Sequence, residues 1–504
     1  MSSLLKVLVV ALAVFAGGLS ASWAEVPADP APPPPAAVVV APLAETSHSI
    51  NIRGHLLNYE ARAGTLSAST GDGASAEIFY VAYGVPLERT PDSTTQRPVT
   101  FVFNGGPGAA STYLNLGALG PRIIATSIDG RLSPESSQII DNPDTWLDAT
   151  DLVFVDPVGT GYSRAEPGQD ERRFWGISAD AHSITDFIRR YLDQAGRLSS
   201  PIYLVGESYG GFRAVLVARL LQQDARIYPS GVALISPALE FMLVRPDEFD
   251  PLHLALGLPS LAAVQYKRAG VDASELKERL HEVEQFALSD YLVALVAGLE
   301  RGRDLASDRV AQYTGLPIEL VRRNFARVST GLFAKEFARS RGNVLSRYDG
   351  AVERTDIAPN RRWIVGPDPV LDASVPVLAA AFETYARQEL NYRTNASYRV
   401  LNDQISRNWD YGIGPAGQGY AGVMNDLQRV RARNPGMGVL IVNGYTDLVT
   451  PYMAARFLVD QVSAIPGARP IRLEVLDGGH MMYFRPASRQ ALKIAATELY
   501  HATQ

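Results

Sequence analysis

The 504-residue sequence contains no cysteine. That excludes disulfides, thiolate nucleophiles, iron–sulfur clusters and cysteine-ligated zinc. Histidine is scarce: His48, His55, His182, His253, His281, His480 and His501 are the whole set of 7. Charged residues make up 20% of the chain and the net charge is −6, with no basic run. An electrostatic grip on nucleic acid is therefore not expected. The apolar run Val7–Gly17 is too short to span a bilayer. What is present is an ordinary globular composition, with 46% hydrophobic residues, 42 glycines and 33 prolines. The chain is long enough to bury a large core.

Lys6, the run Val7–Gly17 and the small–large–small triplet Ser22-Trp23-Ala24 make a secretory signal pattern, with cleavage after Ala24. Residues 1–24 are thus expected to be a signal peptide. Residues 25–45 are expected to be a Pro/Ala-rich tether, since the stretch Pro27–Pro42 favours extended polyproline backbone. The expected location is exported, periplasmic or secreted, in a bacterium, with no stable membrane span after signal cleavage.

Between Ser47 and Tyr83 apolar residues recur with period two, which predicts antiparallel lead-in strands. Continuous apolar runs follow at Val99–Phe103, Leu152–Val155, Ile202–Val205, Val232–Ile235 and Val439–Val442, and an alternating one at Ile471–Leu476. Helical spacing at His182–Leu192 and Phe212–Leu221 covers them. This predicts an α/β fold, a central mostly parallel sheet with helices on both faces. Residues 240–433 differ. Their periodicity is helical at Glu275–Leu288, Tyr291–Leu299, Pro317–Phe325 and Pro376–Glu389, with Pro317 and Pro376 expected at first helical positions. The expectation is a helical cap inserted into a core made of 46–239 and 434–504.

The sharpest local signal is Gly206-Glu207-Ser208-Tyr209-Gly210-Gly211, between an apolar strand and a helix. A G-x-S-x-G turn in that context is a nucleophile elbow, which exposes Ser208 on a strained backbone. A serine hydroxyl needs a base. Of the seven histidines only His480 follows a sheet-type strand in a loop, Asp477-Gly478-Gly479-His480. The acid that would orient it is Asp447, in the loop after Val439–Val442; Asp477 and Asp410 are less well placed. A loop with close-approaching amides is offered by Asn104-Gly105-Gly106-Pro107-Gly108. One N–H from it and one from Tyr209 would form an oxyanion hole. Tyr162 could either line the cleft or pack in the core. Gly417-Gln418-Gly419-Tyr420-Ala421-Gly422 lacks a preceding strand and reads as a loop, not a dinucleotide site.

These blocks, with Asp156-Pro157-Val158-Gly159-Thr160-Gly161-Tyr162-Ser163, resemble the serine carboxypeptidase family (peptidase family S10), in a bacterial-type form with the α/β-hydrolase fold. The resemblance implies hydrolysis of C-terminal residues from peptides through an acyl-enzyme, with Ser208, Asp447 and His480 catalytic and Gly106 and Tyr209 as oxyanion donors. It also implies that Asn104, Gly105 and Glu207 bind the terminal carboxylate of a peptide with a free C-terminus. Glu207 would have to be protonated to do so. No metal or cofactor is implied. Two departures stand out. The family often carries a second glutamic acid where this chain has Ala118, and a cysteine where it has Ala109. Carboxylate preference is therefore expected to depend less on acid pH. The competing readings are an esterase or acyltransferase with the same triad, and a non-catalytic envelope binding protein. Oligomeric state is not legible.

Overall fold

The structure is a computed structural model that describes residues 42–86, 97–132, 138–244, 249–412 and 421–503. The expected signal peptide, the tether up to 41 and most of the Gly417–Gly422 loop lie outside these residues.

Among the described residues, nine strands form the main path of the sheet. They are β1 (Ala44–Ile52), β2 (His55–Ser69), β3 (Ser75–Gly84), β4 (Val99–Phe103), β5 (Asp151–Val155), β6 (Ile202–Glu207), β7 (Gly231–Ile235), β8 (Gly438–Gly444) and β9 (Ile471–Leu476). Their order is β1-β2-β3-β5-β4-β6-β7-β8-β9, and the short strand Arg164–Ala165 beside β3 completes a 10-stranded sheet. Pairing is antiparallel from β1 to β5 and parallel from there on. Every residue of β4, β5, β6, β7 and β8 is buried, as their unbroken apolar runs require. The alternating strand β9 is half-buried along its length and sits at the sheet edge. β3 departs from period two: Phe79, Val81 and Tyr83 are as buried as Ile78 and Ala82, because both faces of this strand are covered.

Neighbouring residues of one strand feed opposite cores. Val102 and Val442 join one apolar cluster, Phe101 and Ile441 the other. Helices α1 (Ile177–Gln194) and α2 (Tyr209–Leu220) cover one face. Between β7 and β8 run α3 (Pro251–Arg268), α4 (Ala273–Phe286), α5 (Leu299–Thr314) and α6 (Pro369–Gln388). The first three build a third apolar cluster with Tyr452 and Leu448. α6 instead packs Leu378, Phe382 and Tyr385 on the sheet. A small antiparallel pair, Asn343–Leu345 with Glu353–Thr355, lies between α5 and α6.

Two helix starts differ from expectation. Pro376 is inside α6, which begins at Pro369. The Asp368 carboxylate accepts from Val370 N, and a capped N-terminus with proline in its first turn outcompetes the later proline. Pro317 is the cap residue, not the first residue, of the short helix Ile318–Arg323.

Candidate active site

The C-terminal ends of β4, β6, β8 and β9 converge at one edge of the sheet. The turn from β6 into α2 is sharp: Ser208 has φ 59° and ψ −123°, a left-handed conformation that costs an L-residue energy. It is pinned from both sides, since Ser208 N donates to Ile235 O at 2.9 Å and Ser208 O accepts from Ala238 N at 3.1 Å. Glycine is needed around it for space. A Cβ at Gly210 would stand 2.6 Å from Phe103 O, and one at Gly105 would stand 2.6 Å from both Glu207 O and Tyr209 N. The loop after β4 therefore touches the elbow backbone to backbone. Gly106, at φ 101°, turns that loop over the elbow.

The cysteine-free loop is held by its backbone. Ala110 N donates to Val400 O at 2.9 Å and Asn402 N donates to Gly108 O at 2.8 Å. Ser111 N donates to Asp156 at 2.8 Å, which joins it to the Asp156–Ser163 block. Tyr162 of that block is core, packed among Phe79, Tyr392 and Tyr398.

His480 Nδ1 and Asp447 Oδ2 are 2.8 Å apart, both residues fully buried. The other Asp447 oxygen accepts from Val449 N at 2.8 Å and Thr450 N at 2.9 Å, and the Thr450 hydroxyl donates to Oδ2 at 2.7 Å. Burial opposes the charge on Asp447, but His480 and Thr450 outweigh it and hold the carboxyl below its ordinary range. Burial likewise opposes charge on His480, and the adjacent Asp447 carboxylate raises it nonetheless. Among the described residues no hydrogen bond joins Ser208 Oγ to His480 Nε2.

Glu207, the last residue of β6, is buried. Its Oε2 accepts from Asn104 Nδ2 at 2.7 Å and from the Tyr483 hydroxyl at 2.6 Å. Burial pushes this carboxyl up to about 7, against the pull of His480, Tyr483 and Asn104. Asn104 is itself fixed, with Oδ1 accepting from Leu114 N at 3.1 Å and its carbonyl accepting from Arg213 at 2.6 Å.

A cleft of about 390 Å³ opens here, lined by Gly106, Ser208, Tyr209, Arg347, Tyr348 and Thr450 among others. Tyr348 stands edge-on to the His480 ring at 5.2 Å, and its carbonyl accepts from His480 N at 2.5 Å. The loop carrying it is clamped by Thr446 on Asp349 at 2.6 Å and by Arg485 on Asp349 at 2.8 Å. Ser236 Oγ donates to His480 O at 2.9 Å. Sequence reasoning missed Thr450, Ser236, Tyr348 and Tyr483. Only Thr450 had a local signal, the Asp-x-x-Thr spacing of a side chain that caps its own turn. Asp477, the acid set aside, pairs with Lys267 and Arg485, away from His480.

The sheet order, the elbow after β6 and the histidine after the last strand define an α/β-hydrolase. The prohormone-processing carboxypeptidase Kex1(delta)p of Saccharomyces cerevisiae shares this fold, at TM-score 0.50 and 16% identity over 88% of this chain and 92% of that one. Residues 54–238, which carry the Gly-rich loop and the elbow, match the family model described as serine carboxypeptidase. Serine carboxypeptidase-like 51 of Arabidopsis thaliana is 33% identical over 143 residues, 28% of this chain and 28% of its own length. A carboxypeptidase Y homolog of Arthroderma benhamiae is 31% identical over 184 residues, 36% of this chain and 33% of its own. The alignments thus span about a third of each relative, and they support the serine carboxypeptidase family for that segment. Asp447 and His480 lie beyond the residues that the family model matches.

Proposed function

We propose that the chain is a serine carboxypeptidase that releases C-terminal residues from peptides through an acyl-enzyme. The observation that carries this reading is Glu207. It is a buried carboxyl held up to about 7, adjacent to Ser208, with Asn104 on Oε2 and no hydrogen bond on Oε1 among the described residues. A neutral carboxyl of this kind donates a proton to a substrate carboxylate that an ionised one would repel. The second N–H of the Asn104 amide and the N–H of Gly105 add donors.

In this reading Ser208 Oγ attacks the scissile carbonyl carbon while its proton passes to His480 Nε2. Asp447 holds the imidazole through Nδ1 and stabilises its charge. The N–H groups of Gly106 and Tyr209 meet the oxyanion; Tyr209 begins α2, where backbone N–H groups lack helical partners. The C–N bond then breaks, and His480 returns the proton to the departing amino group. Water, deprotonated by His480, hydrolyses the ester and frees Ser208.

The proposal extends to organisation. Residues 46–239 and 434–504 form the catalytic core and 240–433 a cap, which is supported by Arg347 and Tyr348 lining the cleft beside Ser208. A bacterial-type, exported protein is supported by the Ser22-Trp23-Ala24 pattern and the proline-rich stretch after it.

Fluorophosphonate labelling of wild type and Ser208→Ala tests the nucleophile, with labelling expected only in wild type. Hydrolysis of an N-blocked dipeptide faster than its amide is then expected. Ester cleavage without preference for a free carboxylate would favour an esterase and overturn the peptidase reading.

A further inference from the structure

Tyr483 is fully buried, two residues beyond the His480–Met481 peptide, and its hydroxyl donates to Glu207 Oε2 at 2.6 Å. Room for its ring comes from small residues across from it. A Cβ at Gly117 would stand 3.0 Å from that ring, and the next residue, Ala118, is buried and carries no polar group. The donor that meets Glu207 beside this segment is therefore a phenol and not a second carboxyl.

We propose that Tyr483 is the positioning residue that readies Glu207 for a substrate's terminal carboxylate, by occupying Oε2 so that the Glu207 proton is presented on Oε1. This rests on the carboxylate-recognition reading above and names the residue that tunes it. The argument is one of donor and acceptor inventory. Oε2 already accepts two hydrogen bonds, from Asn104 and Tyr483, and an oxygen so occupied is a poor site for a proton. Oε1 accepts none from the described residues. A carboxyl partner could donate or accept, according to which member of the pair held the proton. A phenol in this place only donates. Burial and the neighbouring Glu207 raise the Tyr483 hydroxyl above its ordinary range, so it keeps its proton throughout the range in which Glu207 titrates. The other groups acting on Glu207 are His480, which favours its ionised form, and Asp447, which opposes it. Tyr113 and Tyr348 also feel its charge and are neutral in this range.

Because the phenol stabilises the ionised carboxylate, its removal raises the pH at which Glu207 ionises. Because it also fixes the proton on Oε1, its removal weakens carboxylate binding below that pH. Tyr483→Phe keeps the ring and removes only the donor. The expected results are two. The limb on which acid-over-amide preference is lost moves up by about one pH unit, a tenfold change in proton affinity. Below the limb the preference falls by about three- to tenfold, in KM more than kcat, as expected for one lost hydrogen bond to a substrate-binding group. The second readout needs no substrate. Thermal melting of wild type and Glu207→Gln is compared across pH: the curves part from the unfolded carboxyl's ordinary 4.5 upward, and the pH at which their difference stops growing marks ionisation of the folded Glu207. That levelling point is expected to move up by the same amount when Tyr483→Phe is compared with the Tyr483→Phe, Glu207→Gln double variant. An unmoved levelling point overturns the proposal, as does an equal loss on acid and amide substrates without a shifted limb. A shifted levelling point in an enzyme that shows no acid preference would uphold the Tyr483–Glu207 coupling and overturn the carboxypeptidase reading instead.

Discussion

Glu207→Gln separates the two oxygens of the carboxyl on which the proposed specificity depends. The glutamine carbonyl takes the Oε2 place and accepts from Asn104 and Tyr483, so its amide nitrogen takes the Oε1 place. A donor then faces the substrate carboxylate at every pH. In the wild type the donor is a proton that leaves at about 7, raised from an ordinary 4.5 chiefly by burial. At about pH 8 roughly a tenth of Glu207 still holds it, against nearly all at about pH 5. Acid-over-amide preference, read as the ratio of kcat/KM values, is expected to fall about tenfold over that range in wild type and to stay level in the variant. Stability supplies an independent magnitude. The folded carboxyl holds its proton more tightly than the unfolded one, so stability is lost as pH rises from 4.5 through about 7 and is level beyond. That difference of pKa corresponds to about 3 kcal/mol, which Glu207→Gln does not lose. The variant should therefore gain on the wild type in melting temperature between about pH 4 and pH 8. A Glu207→Gln enzyme whose acid preference falls with pH as the wild type's does would refute the reasoning, because some other group would then be titrating.

Gly206→Ala is expected to damage the elbow, because a Cβ there runs into the backbone of Gly210 and Gly211, which no rotamer can relieve. We expect a loss of about 1–3 kcal/mol by denaturant unfolding and about a hundredfold slower fluorophosphonate labelling as Ser208 shifts; labelling at the wild-type rate would contradict the packing described. Arg213→Met leaves Asp180 without its buried partner, 2.7 Å away, and Asn104 O without a donor. The expected cost is about 3–5 kcal/mol at neutral pH. Part of it should return on acidification, as burial makes the orphaned Asp180 take up a proton, and a cost independent of pH would show that the pair is not what matters.

The elbow, the glycine loop and the sheet strands were legible because their causes are local. A continuous apolar run reports a strand buried on both faces, and β4 spans the expected residues, Val99–Phe103. Gly206 is read from spacing because the clash it avoids, with Gly210 and Gly211, lies within a few residues, whereas Gly210 makes room for Phe103 O, which is far away along the chain. The helix start at Pro376 was misread for a related reason: two prolines and a capping aspartate compete along one segment, and the cap at Asp368 prevails.

The sequence by itself determined the class of fold, the chain order of the proposed triad Ser208, Asp447 and His480, and the absence of any disulfide to hold them. Each follows from the kinds of residue present and their neighbours along the chain. Tertiary structure alone decided which groups meet across distance. Tyr483 and Glu207 are 276 positions apart, and Ser236 and His480 are 244 apart. No periodicity encodes such meetings. Nor does any residue type state a pKa, since the Glu207 shift comes from the burial that the whole sheet edge and its covering loops create. The missing cysteine at Ala109 has its counterpart at the same level. Backbone bonds from residues 400–402 hold the glycine loop, and those residues lie some 290 positions further along the chain.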